Sequence, residues 1–383
     1  MKVLFFNYEY PPLGGGAGNA TYYILKEFSK IKDLEVDLIT SSADEKYLTE
    51  KIGENITIYK IPIGKNSANL HFQSQKDLLV YGWKAFRFAD KLTKEKKYDL
   101  SHSFFTVPCG AISLWLKLTR KIPYIVSLRG SDVPGYSERF MAAYVVLKPL
   151  IRLIWKQSAG VVSNSRGLKD LALKTNEAQK VEIIFNGVDV EDFYPDETLR
   201  SKDKFIITVG ATRITARKGI NYLIEALSIL VPRYPDIFLH IMGDGNEKEN
   251  LEALREKLNL KNNIVFLGRI PREKTGSYYR EAGLFVLPSL NEGMSNAMLE
   301  ALASGLPILT TETGGTAELV KEGKNGYTVK MKDAEDLAEK IEIIFRDNEL
   351  QKRMGLASRE LAEKMSWKNV AREYFELYQK IKK

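Results

Sequence analysis

Short apolar runs rich in Val, Ile and Phe alternate with longer stretches of helical periodicity, and the alternation is repeated in both halves of the 383 residues. Parallel neighbouring strands need a helical crossover, and strands buried on both faces read as near-continuous apolar runs. This pattern therefore admits little besides parallel sheets covered by helices. In the first half the runs are Lys2–Phe6, Glu35–Thr40, Ile56–Ile61, Leu100–Ser103, Tyr124–Leu128, Gly160–Ser163 and Val181–Ile184. Helical segments lie between most of them, the clearest being Ala20–Lys30 and Gln75–Lys94. In the second half Phe205–Val209, Phe238–Met242, Ile264–Leu267, Leu284–Leu287, Ile308–Thr310 and Gly326–Val329 repeat the arrangement. Two α/β domains are predicted, each a doubly wound, Rossmann-like parallel sheet.

The periodicity breaks between Asn186 and Lys204, where Asn-Gly, a Pro and alternating charges occur. That places a first domain at 1–190 and a second at 191–365. The remaining segment, 366–383, contains an amphipathic helix, Trp367–Ile381, with Val370, Tyr374, Leu377, Tyr378 and Ile381 on one side, and is expected to pack back on the first domain. Charge divides at the same boundary: residues 1–190 hold 27 basic and 19 acidic side chains and residues 191–383 hold 30 of each, so the whole +8 lies in the first half. Such asymmetry calls for an anionic partner of that half, either nucleic acid, an acidic substrate or an anionic membrane surface.

Other classes are excluded by composition. With 44% hydrophobic and 28% charged residues the chain can bury a core and is not disordered. No short repeat marks a solenoid. A single cysteine, Cys109, offers neither a disulfide nor a thiolate cluster and fits a reducing, cytoplasmic setting. Met1–Tyr8 is too short an apolar run for a signal peptide, and the uncharged stretch Leu100–Leu116 is interrupted by Ser, His, Pro and Gly, so no spanning helix is expected.

Three segments carry chemistry. The first strand runs into Pro11-Pro12-Leu13-Gly14-Gly15-Gly16-Ala17-Gly18-Asn19 and then a helix, where glycines let backbone N–H groups approach a phosphate; taken alone, a tight turn accounts for it equally well. The first strand of the second half is followed by Arg213 and Lys218-Gly219, two cations that suit the separate phosphoryl groups of a diphosphate, although most surface charges merely face water. After Leu284–Leu287 comes Asn291-Glu292-Gly293-Met294-Ser295-Asn296, in which Ser295 or Asn296 caps a helix, leaving Glu292 in a loop and Glu300 about one turn into the helix. Both acids are then expected to face the crevice at the strand ends, unless Glu300 is only a helix-dipole partner and Glu292 a loop charge.

Together these segments resemble the retaining glycosyltransferases of family four, which have the two-domain GT-B fold. The family's Glu, seven residues, Glu corresponds to Glu292 and Glu300, its Arg, four residues, Lys-Gly to Arg213, Lys218 and Gly219, and its glycine loop to Gly15-Gly16-Ala17-Gly18. Asn186-Gly187-Val188-Asp189, Gly243-Asp244-Gly245, Phe266-Leu267-Gly268-Arg269-Ile270 and Thr313-Gly314-Gly315 with Glu318 complete the series along nearly the whole chain. The resemblance implies an active site in the cleft between the domains. Arg213 and Lys218 would hold the donor diphosphate, Gly16 and Gly18 would add backbone donors, and Glu300 would accept from ribose hydroxyls. Glu292 with the amides of Gly293, Met294, Ser295 and Asn296 would grip the sugar, and the backbone near Ile270 would meet the base. It further implies retention of anomeric configuration, with the departing phosphate taking the acceptor's proton rather than Glu292 acting as a covalent nucleophile.

Where many members have His-Gly, this chain has Arg129-Gly130-Ser131-Asp132; Arg129 binds phosphate or hydroxyls but cannot serve as a neutral base. Asn19, Arg129 and Asp132 are the candidates on the acceptor side. His71, His102 and His240 have no metal-ligand spacing, and no Asp-x-Asp pair occurs, so neither a metal nor another cofactor is expected. In the segment Tyr136–Lys156, apolar and aromatic residues interleave with Arg139, Lys148, Arg152 and Lys156, as in a helix at an anionic membrane surface or a core helix with a basic edge. The resulting expectation is a metal-independent transferase that moves a sugar from a nucleotide-sugar, a UDP-sugar by preference, to a glycan or lipid-linked acceptor at the inner face of the membrane. A nucleotide-sugar epimerase and a non-catalytic donor-binding subunit are the alternatives. No element for reading nucleic acid appears.

Overall fold

The computed structural model describes residues 1–65, 70, 73–136, 141–201 and 203–382, with only the backbone described for 141–143, 211 and 212. His71, Arg139 and Phe140 therefore lie outside the described residues. Residues 1–186 and 367–383 form one unit, and residues 187–366 form a second.

The first unit has eight strands: β1 (Lys2–Phe6), β2 (Glu35–Ser42), β3 (Leu48–Ile52), β4 (Ile56–Pro62), β5 (Leu100–Phe104), β6 (Tyr124–Leu128), β7 (Gly160–Ser163) and β8 (Val181–Ile183). Their order is β3-β4-β2-β1-β5-β6-β7-β8. The central strands are parallel and buried, with Val3 of β1 set between Val36 of β2 and Leu100 of β5. The edge strand β3 is antiparallel to β4 and was not visible in the pattern. Its sequence, Leu-Thr-Glu-Lys-Ile, is almost wholly exposed, and it is held by its ladder across a turn in which Gly53 adopts a φ of 61°, by a Glu50–Lys60 ion pair at 2.6 Å and by Ile52 packed on the core.

Helices α1 (Gly16–Phe28), α2 (Gln75–Glu95), α3 (Ala111–Arg120), α4 (Met141–Gln157) and α5 (Arg166–Thr175) cover this sheet. Helix α1 begins at Gly16 rather than Ala20, so Gly16 and Gly18 belong to its first turn and not to the loop before it. Ser74 and Asp77 close a capping box at the start of α2.

In the second unit β9 (Phe205–Arg213), β10 (Ile237–Asp244), β11 (Ile264–Gly268), β12 (Leu284–Leu287), β13 (Ile308–Thr311) and β14 (Gly326–Val329) form an all-parallel sheet in the order β11-β10-β9-β12-β13-β14. It is covered by α6 (Ile220–Leu230), α7 (Lys248–Lys257), α8 (Arg272–Glu281), α9 (Asn296–Ala303), α10 (Thr316–Leu319), α11 (Ala334–Phe345) and α12 (Asn348–Lys364).

The last helix, α13 (Trp367–Lys382), returns to the first unit. Its Trp367, Val370, Tyr374, Leu377 and Tyr378 join the core around Phe5, Phe28 and Ile24, and Trp367 stacks on Tyr23 with centroids 5.7 Å apart. Burying side chains of this size contributes roughly 1.5–3 kcal/mol each, which accounts for the docking of a helix whose other face is highly charged. In each sheet the strand order reverses once, at β1/β5 and at β9/β12. Ligands of open α/β sheets bind beyond the strand ends at such points.

Candidate functional site

The reversal in the second unit is flanked by the loop after β9 and the loop after β12. Arg213 is the last residue of β9, and Lys218 ends a single helical turn, Ala216–Lys218, that stops at Gly219. Gly219 has a φ of 62°, and a Cβ there would lie 2.1 Å from the Pro288 carbonyl oxygen, so glycine is required for the two loops to meet. The Leu290 amide donates to the Arg217 carbonyl at 2.8 Å, and the Lys218 ammonium forms a part-buried ion pair with Glu292. A third loop closes on the same place. Gly314 N–H donates to the Glu292 carbonyl at 3.0 Å, and a Cβ on Gly315 would come within 2.5 Å of the Gly293 oxygen. The ends of β9, β12 and β13, adjacent in the sheet, thus hold Lys218 and Glu292 together.

Ser295 caps α9 by accepting from the Met298 amide, Asn296 is its first residue, and Met294 is buried beneath the turn. The first N–H groups of a helix have no intrahelical partner and carry positive partial charge, so this end favours electron-rich oxygen. Glu300, one turn in, is buried and accepts from Arg272 Nη1 at 2.8 Å and from the Tyr279 hydroxyl at 3.4 Å. Burial pushes its carboxyl above the usual range, while Arg272 and Tyr279 pull it back down. Arg272 and Tyr279 were not singled out from the sequence. They stand seven residues apart on α8, hence on one face of it, and Gly210 leaves the space Tyr279 occupies, since a Cβ there would meet its hydroxyl at 2.6 Å. Ile270 lies half-buried between β11 and α8.

In the first unit the corresponding reversal holds the glycine segment. Glu9 accepts from the Gly15 amide at 3.1 Å, the Asn7 side-chain amide donates to Thr21 Oγ1 at 2.7 Å, and a Cβ on Gly18 would come within 3.0 Å of the Leu13 carbonyl oxygen. Asn19 closes the first turn of α1, its amide bonded to the Gly15 carbonyl. Across the reversal, Phe105 follows β5 with a φ of 69°, a strained conformation for a bulky residue, and its ring stacks on Tyr8 at 4.4 Å.

Asp132 is buried and Arg129 half-buried, and both are engaged by groups of their own unit. Asp132 accepts from the amides of Thr106, Arg129 and Gly130 and from the Thr106 hydroxyl, at 2.9 to 3.1 Å. The Arg129 guanidinium lies 3.5 Å from the centre of the Phe104 ring and donates to Asn186 Oδ1 at 2.8 Å and the Tyr374 hydroxyl at 3.3 Å. His102 bridges Tyr378 and Ser127 at 2.6 and 2.7 Å, and burial, with Arg129 nearby, holds it well below its ordinary pKa. It is a neutral structural residue that ties β5 to α13. Burial likewise pushes the Cys109 thiol up to about 12, leaving it unreactive. His240 stands on β10, kept neutral by burial. Among the described residues no three His, Cys, Asp or Glu side chains stand close enough to hold a metal ion, and no helix is long and apolar enough to cross a membrane.

Comparison with known proteins joins the two units into one family. The glycosyl transferases group 1 model matches residues 189–361, and the glycosyltransferase family 4 model matches residues 14–192. The chain belongs to the group 1 glycosyltransferases. This glycosyltransferase is 26% identical over 381 residues to an uncharacterized glycosyltransferase of Methanocaldococcus jannaschii, covering 100% of this chain and 99% of that one. Its structure resembles sucrose-phosphate synthase from Thermosynechococcus elongatus with a TM-score of 0.83 at 21% identity, over 99% and 98% of the two chains. It also resembles Anabaena HepE, crystallised with UDP-glucose, with a TM-score of 0.72 at 18% identity, over 99% and 100%. These likenesses establish the GT-B fold.

Proposed function

We propose that this glycosyltransferase moves a sugar from a nucleotide-sugar, a UDP-sugar, to a glycan or lipid-linked acceptor, with retention of anomeric configuration and without a metal ion. The observation that carries this reading is the Lys218–Glu292 pair, set beside Glu300 where the sheet of the second unit reverses. The HepE neighbour, solved with UDP and with UDP-glucose, supports the choice of donor.

Lys218 and Arg213 serve the diphosphate and stabilise the charge that develops as it departs, work that a bound cation performs elsewhere. Glu300, raised by burial and drawn back down by Arg272, accepts from the ribose hydroxyls, and the start of α9 with Glu292 orients the sugar. A diphosphate oxygen takes the proton of the attacking hydroxyl on the face it leaves. Glu292, its charge engaged by Lys218, is a weak nucleophile, which favours this route over a covalent glycosyl-enzyme. The start of α1, with Gly16 and Gly18, offers a second group of amides suited to phosphate. The basic excess of the first half belongs to the acceptor side, with an anionic lipid surface as partner.

A thermal-shift screen over UDP-, GDP- and ADP-sugars tests the donor. Saturating ligand raises stability by RT ln(1 + [L]/Kd), so a UDP-sugar is expected to give the largest shift, and equal shifts or none overturn the assignment. Proton NMR of donor with enzyme and no acceptor separates transfer from isomerisation, because an epimerase would convert the donor sugar unaided.

A further inference from the structure

The first unit carries an apolar face that its own core does not use. Leu79 and Trp83 of α2 are 76% and 63% exposed, Leu118 of α3 is 60% exposed, and Val145 and Val146 of α4 are 77% and 78% exposed. The three helices form one layer, with α3 touching both neighbours. Phe86 of α2 meets Trp115 of α3 edge-on at 4.7 Å, and Lys117 of α3 donates to the Gln157 carbonyl at the end of α4 at 2.5 Å. These side chains therefore stand on exposed faces of three adjoining helices. Surface hydrophobics scattered singly need no explanation, whereas a group of them on adjoining helices marks an interaction site.

Charge decides what occupies it. Helices α3 and α4 carry Lys117, Arg120, Lys148, Arg152 and Lys156 and no acid at all. Arg87 of α2 lies over the Trp83 ring, with 6.0 Å to its centre. On α2 the acid nearest α3, Asp90, is neutralised by Lys94 and Arg120 at 2.7 and 2.8 Å. Aliphatic and indole side chains on helices whose lysines and arginines outnumber their acids suit an interface with hydrocarbon below and phosphate around it. A tryptophan beside an arginine has the amphipathic form that settles at headgroup level.

We infer that the outer surface of α2, α3 and α4, centred on Trp83, Val145 and Val146, docks this glycosyltransferase on an anionic lipid bilayer. The inference deepens the lipid-surface partner proposed above by naming the surface, and it draws in α2 and α3, which the sequence pattern of α4 alone did not indicate. It rests on that reading only for its purpose, since binding to lipid is measured without turnover.

The test is flotation of the full chain with vesicles of equimolar phosphatidylcholine and phosphatidylglycerol, and with vesicles of phosphatidylcholine alone. The wild type should float with the anionic vesicles, remain behind with the neutral ones, and be released as salt screens the headgroups. Replacing Trp83, Val145 and Val146 together by Ser, all at exposed positions, should abolish flotation. The charge reversals Lys148→Glu and Lys156→Glu should weaken it by on the order of a hundredfold or more, since each removed cation is worth about a factor of five near the surface. Flotation of the serine variant equal to wild type, no flotation of the wild type, or a wild-type dimer that the serine substitutions dissolve would each overturn the proposal. UDP binding, followed by thermal shift, should be the same in all these proteins. Wild-type protein that floats but gains no stability from UDP would instead remove the transferase reading and leave the docking surface standing.

Discussion

The two sheets present polar groups at matching places and use them differently. At the reversal of the first sheet, Asp132 is satisfied by four donors, Arg129 is pressed on Phe104 and tied to Asn186 and Tyr374, and His102 is locked between Tyr378 and Ser127. At the reversal of the second, Lys218 holds Glu292 at part-buried loop positions, and Arg272, partly exposed at the start of α8, holds the buried Glu300 one turn into α9. The first set spends its hydrogen bonds on holding β5, β6 and α13 together. The second pairs opposite charges that a diphosphate and a ribose can take over, because each ion pair exchanges one partner for another of the same sign. Charge at a strand end is thus not by itself a site; what separates the two regions is whether its partners belong to the scaffold.

Substitutions should divide along the same line. The largest effect is expected from Lys218→Ala, which should lower donor turnover by on the order of 10²–10³, as loss of one preorganised electrostatic donor does. Turnover within a factor of a few of wild type would remove Lys218 from the site. In the other unit Asp132→Ala should behave oppositely. Four donors lose their acceptor, at a cost of about 3 kcal/mol or more by denaturant unfolding, while UDP affinity, which the proposed function assigns to the second unit, stays unchanged. Arg129→Lys should cost about 1–3 kcal/mol, because an ammonium cannot both lie flat on Phe104 and reach Asn186 and Tyr374.

Two smaller effects depend on pH. Burial raises the Glu300 carboxyl and Arg272 opposes it, so Arg272→Gln should let Glu300 take up a proton at higher pH. As only the ionised form accepts from both ribose hydroxyls, donor KM in the variant should begin to rise at a higher pH than in wild type as pH falls, with kcat less affected. Coincident KM profiles would sever Arg272 from donor binding. His102 is depressed in the fold from its ordinary 6.5. Its contribution to stability is complete above that value and is lost as pH falls below it, because the unfolded chain binds a proton that the folded one excludes. His102→Gln should flatten this acid slope of the first unit's stability while leaving donor KM unaltered.

Much of this was legible before the structure. The apolar runs marked thirteen of the strands because parallel strands buried on both faces leave continuous hydrophobic sequence, and β3 was missed because an exposed edge strand has no such requirement. The spacing of Glu292 and Glu300 and of Arg213 and Lys218 was visible as motif, whereas Arg272 and Tyr279, which engage Glu300, lie on another helix and are joined to it only by folding. Arg129 and Asp132 read as acceptor-side candidates because sequence shows which polar groups follow a strand, and the packed structure adds that Phe104, Thr106 and Tyr374 engage them. The trio of exposed faces on α2, α3 and α4 was hidden likewise, since its members are separated along the chain by β5 and β6.

On the proposed function the second unit's paired charges form the donor site. Calorimetric titration of UDP into wild type and Lys218→Ala, each with a strong chelator present, tests it most directly. The account predicts saturable binding to wild type that the chelator leaves intact and that Lys218→Ala abolishes or weakens by roughly tenfold to a hundredfold, the value of a charge-assisted hydrogen bond. Equal binding by the two proteins, or wild-type binding that the chelator removes, would contradict it.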